Sequence, residues 1–313
     1  MPVHPQIAKA LEALAKANLP AIEDLSAEAA RSQMDQMSKA RGGEPTPLPK
    51  IEDRTIPGPA GNIPIRIYWP EGDQPQPMVI YFHGGGHVIG SLDTHDKVAR
   101  NLAFHSGAIF ISVDYRMGPE HKFPAAVEDS WAALMWAYKH AAEIGGDPKK
   151  IAVSGDSAGG NLAGVMALMA RDAGEPKLSL QSLVYPVGDY TLSSESYQTY
   201  GKGFGILTDD AMKWFQKHYL NSSDDAEDWR ASPLKAKSFA GTAPAIIVAA
   251  ECDVLVDDGK AYADRLKADG VKVDYRLYEG MIHAFFGMAP DIDGAVQAQI
   301  DVSEALKQAF RGD

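Results

Sequence analysis

The stretch VSGDSAGG, Val153 to Gly160, decides how the rest of this chain is read. It contains the pattern GxSxG as Gly155-Asp156-Ser157-Ala158-Gly159, which on its own is only moderately specific. Its setting sharpens it: the apolar run KKIAV precedes it, and an Ala- and Gly-rich stretch of helical character follows. A serine on a tight strand-to-helix turn is lifted out of the sheet, and small neighbours let the helix come close to the strand. An ordinary Ser-Gly turn is the plain alternative, and the flanking strand and helix argue against it.

Working outward, MVIYF (Met78 to Phe82), AIFISVDY, IAVSG, LQSLVYP and APAIIVAA are short apolar runs of the kind expected for strands buried on both faces. Helical stretches such as Ala125 to Ala142 and Gly159 to Arg171 lie between them. The alternation predicts an α/β fold with a mostly parallel sheet flanked by helices on both faces, opened by one or two antiparallel strands. Ile63, Ile65, Ile67 and Trp69, with a period of two, mark one such opening strand. Residues 5 to 40 read as helices, because Ile7, Leu11 and Leu14 recur at helical spacing and Met34 and Met37 follow the break at Pro20. Residues 187–230 interrupt the alternation with a Tyr-, Ser-, Gly- and Asp-rich insertion holding one helix, Asp209 to Tyr219. The expected organisation is an N-terminal helical cap segment over 1–48 and a catalytic domain over 49–313 with a cap insertion at about 187–230.

A serine hydroxyl is a weak nucleophile until a base takes its proton and a third group orients that base. Nine histidines are available. In open α/β sheets, ligands bind beyond the carboxyl ends of the strands. The segment VDYRLYEGMIHAF alternates as a strand, reads as a turn at Glu279-Gly280, and then presents His283. His105, His140 and His218 fall within or at the ends of helices and read as surface residues. The orienting carboxylate should stand between Ser157 and His283 in chain order. Asp253 is the first aspartate beyond the strand APAIIVAAE, whereas Asp257 and Asp258 read as first-turn helix residues complementing the macrodipole.

Ser157, Asp253 and His283, with HGGG at 83–86 and GDSAGG at 155–160, resemble the hormone-sensitive lipase family of α/β-hydrolases, the bacterial family IV esterases. YRMGPEHKFPAAVED (Tyr115 to Asp129) is similar to the family's YRLAPEHxFPAAxxD segment, and YEGMIHAF to its segment around the catalytic histidine. The resemblance covers roughly residues 51 to 312. It implies the α/β-hydrolase fold with its mostly parallel eight-stranded sheet, a helical cap and carboxylester hydrolysis through an acyl-enzyme on Ser157, on short- to medium-chain esters. It also favours the N–H groups of Gly85 and Gly86 as oxyanion donors beside that of Ala158. Three departures stand out: Val254 where the family has the proline of DPL, Met117-Gly118 for Leu-Ala, and His87 after HGGG. The residues offered for the substrate pocket are His87, Phe204, Leu207, Trp214, Leu255 and Phe285, with Tyr190 beside them.

Composition removes several other functions. A formal charge of -12 and a pI near 5.2 argue against nucleic acid and anionic membranes as partners. The single cysteine, Cys252, leaves no intramolecular disulfide and no cysteine-based zinc site, and His83, His87 and His95 lack HExxH or a matched carboxylate. No cofactor and no metal are expected. The N-terminus lacks the apolar run of a signal peptide, and no run of about 18 apolar residues occurs, so a cytoplasmic location without stable membrane association is the expectation. The expected partner is a small-molecule ester, with a homodimer left open. An amidase or another acyl hydrolase on the same triad, and a receptor that binds without turnover, are the alternatives.

Overall fold

The computed structural model describes residues 3–40, 43–202 and 206–312 of the 313-residue chain. Its strands are β1 (Lys50–Gly58), β2 (Gly61–Trp69), β3 (Gln76–Phe82), β4 (Ile109–Val113), β5 (Gly146–Asp156), β6 (Leu178–Val184), β7 (Ala245–Cys252) and β8 (Val273–Ile282). They form one sheet in the spatial order β1-β2-β4-β3-β5-β6-β7-β8. β1 and β2 run antiparallel, β2 meets β4 antiparallel, and every later pairing is parallel. This is the α/β-hydrolase architecture expected from the sequence.

The apolar strands are apolar throughout because both faces are covered. On β3, Met78, Ile80 and Phe82 enter a core that includes Leu134 of α4 (Ala125–Lys139), Leu162 of α5 (Ala158–Ala173) and Leu266 of α8 (Val256–Ala268). The alternate residues Val79 and Tyr81 enter a second core with Leu102 of α3 (Asp96–Ser106) and Val302 of α9 (Asp293–Arg311). Successive side chains of a strand point to opposite faces, so a strand between two helical layers has no polar side to display. β1, as KIEDRTIPG, escaped the sequence reading because it is an edge strand with most of its residues exposed or half-buried.

Two segments leave this frame. The N-terminal one forms α1 (Pro5–Ala17) and α2 (Ala27–Ala40), joined through a single 3-10 turn at Ile22–Asp24. The chain between β6 and β7 holds α6 (Glu195–Tyr200) and α7 (Asp209–Tyr219), with 3-10 turns at Ser223–Glu227 and Pro233–Lys235. The bounds of α7 match those read from the sequence, and α6 was not anticipated. The Thr208 side chain caps α7 by accepting from the Ala211 N–H, and Asp209 and Asp210 fill its first turn.

One expected turn is absent. Glu279-Gly280 lies inside β8, where the register against β7 shifts between Ala250 and Cys252, so the glycine forms an irregularity in a continuing strand. Gly280 has φ +66° and its carbonyl accepts from the His4 N–H at 2.9 Å. Glycine inside a strand pattern marks a bulge or a close approach as readily as an end.

Candidate active site

β5 delivers its chain through Gly155 and Asp156 to Ser157, whose backbone sits at φ 55°, ψ −118°. That conformation is sparsely populated for a residue with a side chain and costs on the order of 1–3 kcal/mol. The surroundings hold it: the Ser157 N–H donates to the Val184 carbonyl at 2.8 Å, and its carbonyl accepts from Asn161 N–H at 3.0 Å in the first turn of α5. Close approach explains the glycine at 159, since a Cβ there would collide with the Phe82 carbonyl. The turn therefore depends on residues on both sides of the serine.

The three expected polar residues come together. His283 Nε2 lies 2.9 Å from Ser157 Oγ, and His283 Nδ1 lies 2.7 Å from Asp253 Oδ2. Asp253 Oδ1 accepts from the Leu255 N–H at 3.0 Å. Asp253 directly follows β7, and His283 directly follows β8, as the strand-end argument required. His283 is held from one side by Tyr185, with ring centroids 4.5 Å apart, and is followed by Ala284 in the left-handed region at φ 64°. Ser157, Asp253 and His283 are all buried, yet Ser157 and His283 still face a cavity.

HGGG follows β3 on the other side of the serine. Gly85 and Gly86 form part of the cavity wall, and Ala158 is the first residue of α5. The N–H groups of these three donate to no acceptor among the described residues. Gly85 is a glycine because its φ is +115° and a Cβ there would strike the Ile89 carbonyl. The loop is thus shaped by its own backbone packing.

His83 is fully buried, stacked on Tyr115 at 4.5 Å, with Nδ1 2.8 Å from the Gly84 carbonyl. Burial, with His95 nearby, pushes its pKa down to about 4, which leaves it neutral. Asp156, next to the serine, accepts from Tyr81 OH at 2.7 Å and lies 3.5 Å from His95 Nε2. Burial would raise its pKa, but His95, Tyr81 and His83 together hold it below the ordinary carboxylate value. Among the described residues no group of three or more His, Cys, Asp or Glu side chains is arranged to hold a metal ion.

The cavity measures about 760 Å³ and runs from Ser157 and His283 to the two segments outside the frame. Leu11, Leu14, Met34 and Met37 of α1 and α2 line it, with Leu207, Met212 and Phe215 opposite. Of the pocket residues proposed from sequence, Leu207 and Tyr190 are in the wall. Phe204 lies outside the described residues. The other four are displaced for specific reasons. His87 is fully buried behind the glycine loop, stacked on Tyr219 with ring centroids 3.9 Å apart. Trp214 turns away from the cavity, donating from Nε1 to the Leu25 carbonyl at 3.1 Å and packing on His218. Leu255 is wholly inside the core at the start of α8, and Phe285 packs between Tyr185 and Tyr278. Asp258 stands in the first turn of α8, as read from the sequence, and is in addition buried, accepting from the Gly188 and Asp189 N–H groups at 2.9 and 3.2 Å.

The sequence reading missed Tyr185, Val187, Met212 and Phe215 as wall residues. Tyr185 and Val187 follow the end of β6 and were within reach of the strand-end rule. Met212 and Phe215 were not, since which face of α7 looks inward depends on how the insertion docks.

Residues 79–287 fit the family described as alpha/beta hydrolase fold. The chain is 42% identical over 285 residues to the carboxylic ester hydrolase LipN of Mycobacterium tuberculosis, covering 89% of this chain and 75% of that one. It is 37% identical over 291 residues to the ethyl acetate hydrolase of Pseudomonas putida, covering 91% of each. Among solved structures, a hyperthermophilic esterase from the archaeon Pyrobaculum calidifontis superposes with a TM-score of 0.93 at 41% identity, covering 98% of this chain and 99% of that one.

Proposed function

Because the chain belongs to the hormone-sensitive-lipase-like family of α/β hydrolases and is a carboxylic ester hydrolase, we propose that Ser157, His283 and Asp253 carry its reaction. The observation that supports this most directly is the continuous contact from Ser157 Oγ to His283 Nε2 and from His283 Nδ1 to Asp253 Oδ2, at 2.9 and 2.7 Å, opening on the cavity. Ser157 Oγ attacks the ester carbonyl while His283 Nε2 accepts its proton. His283 then gives that proton to the leaving alcohol as the C–O bond breaks, and the acyl group remains on Ser157. A water attacks the acyl-enzyme with His283 again as base, His283 returns that proton to Ser157 Oγ as the Oγ–acyl bond breaks, and the acid leaves. Asp253 keeps the Nδ1 proton in place and stabilises the imidazolium, itself fixed by the Leu255 N–H.

The tetrahedral intermediate places a negative oxygen beside the serine, and the N–H groups of Gly85, Gly86 and Ala158, which have no acceptor among the described residues, are assigned to receive it. Donors already oriented need no reorganisation at the moment of reaction, and losing one typically costs about 10²- to 10³-fold in rate. The N-terminal helices and the segment after β6 act as the cap, since both contribute wall residues above Ser157. We assign short- to medium-chain acyl esters as substrates. The cavity's walls are mainly aliphatic and aromatic, and similarity to an ethyl acetate hydrolase supports the short end of the range.

Nitrophenyl esters of increasing acyl length test both parts. Wild-type protein is expected to hydrolyse the butyrate well and the palmitate poorly, and Ser157→Ala to lose at least about 10³-fold in kcat. Undiminished turnover in Ser157→Ala overturns the assignment of the nucleophile, and a palmitate preference overturns the acyl assignment.

A further inference from the structure

The glycine loop does not stand alone. Arg31, on α2 of the N-terminal segment, donates from Nε to the Val88 carbonyl at 2.8 Å and from Nη2 to the Gly118 carbonyl at 2.7 Å. Its guanidinium also grips Glu120 with both ends, Nη1 to Oε1 at 2.9 Å and Nη2 to Oε2 at 2.6 Å. The two carbonyls belong to chain segments that already clasp each other, because the Gly118 N–H donates to the His87 carbonyl at 2.8 Å. Val88 and Ile89 in turn donate their N–H groups to the Gly85 carbonyl, at 3.0 and 2.9 Å. An unbroken series of hydrogen bonds therefore runs from α2 to Gly85.

Each link has a reason to be strict. Val88 is completely buried, so its carbonyl loses its partner if Arg31 is removed, and an orphaned buried acceptor costs about 1–3 kcal/mol. The planar fork of an arginine meets two carbonyls and a carboxylate at fixed angles, which a lysine ammonium cannot do. Glu120 is an exposed surface residue, and its contribution is to aim the fork. The same N-terminal segment is tied at its other end to the strand that carries the histidine, where the His4 N–H donates to the Gly280 carbonyl at 2.9 Å, three residues before His283. One segment thus holds both the loop that receives the oxyanion and the strand that presents the base.

We propose that Arg31 is a positioning residue for the reaction: docked through α2, it sets the Val88–Gly118 clasp and thereby the direction in which the Gly85 and Gly86 N–H groups point at Ser157. This rests on the assignment of those N–H groups to the oxyanion. Arg31 touches no reacting atom. Its removal leaves the apolar cavity able to bind ester but with the donors misaimed, so the effect falls on the transition state.

The experiment compares Arg31→Gln, Arg31→Lys and Glu120→Gln with wild type on nitrophenyl butyrate, with active-site titration correcting for any unfolded fraction. It adds the affinity of an aliphatic trifluoromethyl ketone, whose adduct with a serine carries the oxyanion. Arg31→Gln is expected to lower kcat about 10- to 100-fold with KM changed less than about threefold, the scale at which small displacements of catalytic groups are felt. Arg31→Lys is expected to fall between Arg31→Gln and wild type, and ketone affinity to drop in parallel with kcat. Loss of thermal stability with kcat unchanged in the titrated protein overturns the proposal, as does a rise in KM at constant kcat. Gly85→Ala separates the two levels. If it leaves kcat unchanged, the oxyanion assignment itself fails. If it abolishes turnover while Arg31→Gln matches wild type, only the role of Arg31 fails.

Discussion

Two buried histidines lie near this site, alike in burial and in their aromatic neighbours and unlike in their polar ones. His283 and His87 each lie against a tyrosine, Tyr185 at 4.5 Å and Tyr219 at 3.9 Å between ring centroids. His283 has a partner on each nitrogen, Asp253 and Ser157. His87 has a hydrogen-bond partner on neither among the described residues. Burial pushes the pKa of His87 down to about 3, with His83 nearby adding to the effect. An imidazole enclosed by rings is fixed in its neutral form, and only one placed between a carboxylate and a hydroxyl can take up a proton and pass it on. Proximity to the glycine loop made His87 look functional in the sequence. Its surroundings make it a packing residue.

The sharpest way to break this contrast is to remove the partner that distinguishes His283. Asp253→Asn keeps the shape of the site but reverses the demand on His283 Nδ1, since an amide can present its NH₂ where an acceptor was needed. Serine hydrolases lose about 10⁴-fold in kcat by this change, and a loss of about 10³- to 10⁴-fold is expected here in steady-state hydrolysis of nitrophenyl butyrate. Retention of more than a tenth of wild-type kcat would mean that His283 does not depend on Asp253 for its orientation.

That comparison also marks how far the sequence could be read. Ser157 and Asp253 were legible because each follows a buried apolar strand, and His283 because it follows an alternating one; a parallel sheet presents such ends on one edge. The mainly parallel character of the sheet followed from the same alternation, whereas its strand order and the exposed edge strand β1 did not. The walls of the cavity were not legible to that depth. Trp214 and Phe215 are neighbours on α7, and only the docking of that helix on Leu25 decides that Phe215 faces the cavity and Trp214 does not. Arg31 was silent for the same reason, as its partners are backbone carbonyls 57 and 87 positions away. Gly280 was misread because a glycine in a strand gives one signal for a turn and for a bulge.

His87→Phe sharpens the contrast from the other side, through stability. The folded-state pKa of about 3 lies below the ordinary value of 6.5, so the native protein keeps His87 neutral while the unfolded chain takes up a proton as pH falls below 6.5. Stability from this group is fully present above pH 6.5 and is lost as pH falls towards 3, at about 1.4 kcal/mol per pH unit. His83, held near 4, adds a similar slope over a shorter window. Urea unfolding between pH 6 and pH 4 is expected to show the wild-type slope reduced by about one proton in His87→Phe, with kcat changed less than about threefold. An undiminished slope would show that His87 is protonated in the native protein.

The carboxylates repeat the lesson with the opposite sign, and with the smallest effect. Asp253 faces His283, whereas buried Asp258 accepts two backbone N–H groups and has acidic Asp189 and Asp253 as its charged neighbours. Burial raises the Asp258 pKa from 3.8 to about 7 despite those N–H bonds. Between these two values the native protein keeps a proton that the unfolded chain has released, so stability falls as pH rises through the window and the deficit is complete above pH 7. Asp258→Asn keeps an oxygen for the Gly188 and Asp189 N–H groups and an NH₂ in place of the acid proton, so it mimics the neutral form at every pH. The variant is expected to match wild type near pH 4 and to exceed it by about 2–4 kcal/mol at pH 8, the lower figure allowing for the weaker acceptor. Because these N–H groups open the chain segment that leads to Tyr190 in the cavity wall, a stability gain without a change in kcat separates the anchoring of that segment from the chemistry at Ser157. A variant less stable than wild type at pH 8 would mean that the carboxylate is ionised there at no cost, and that two backbone donors suffice to do for Asp258 what an imidazole does for Asp253.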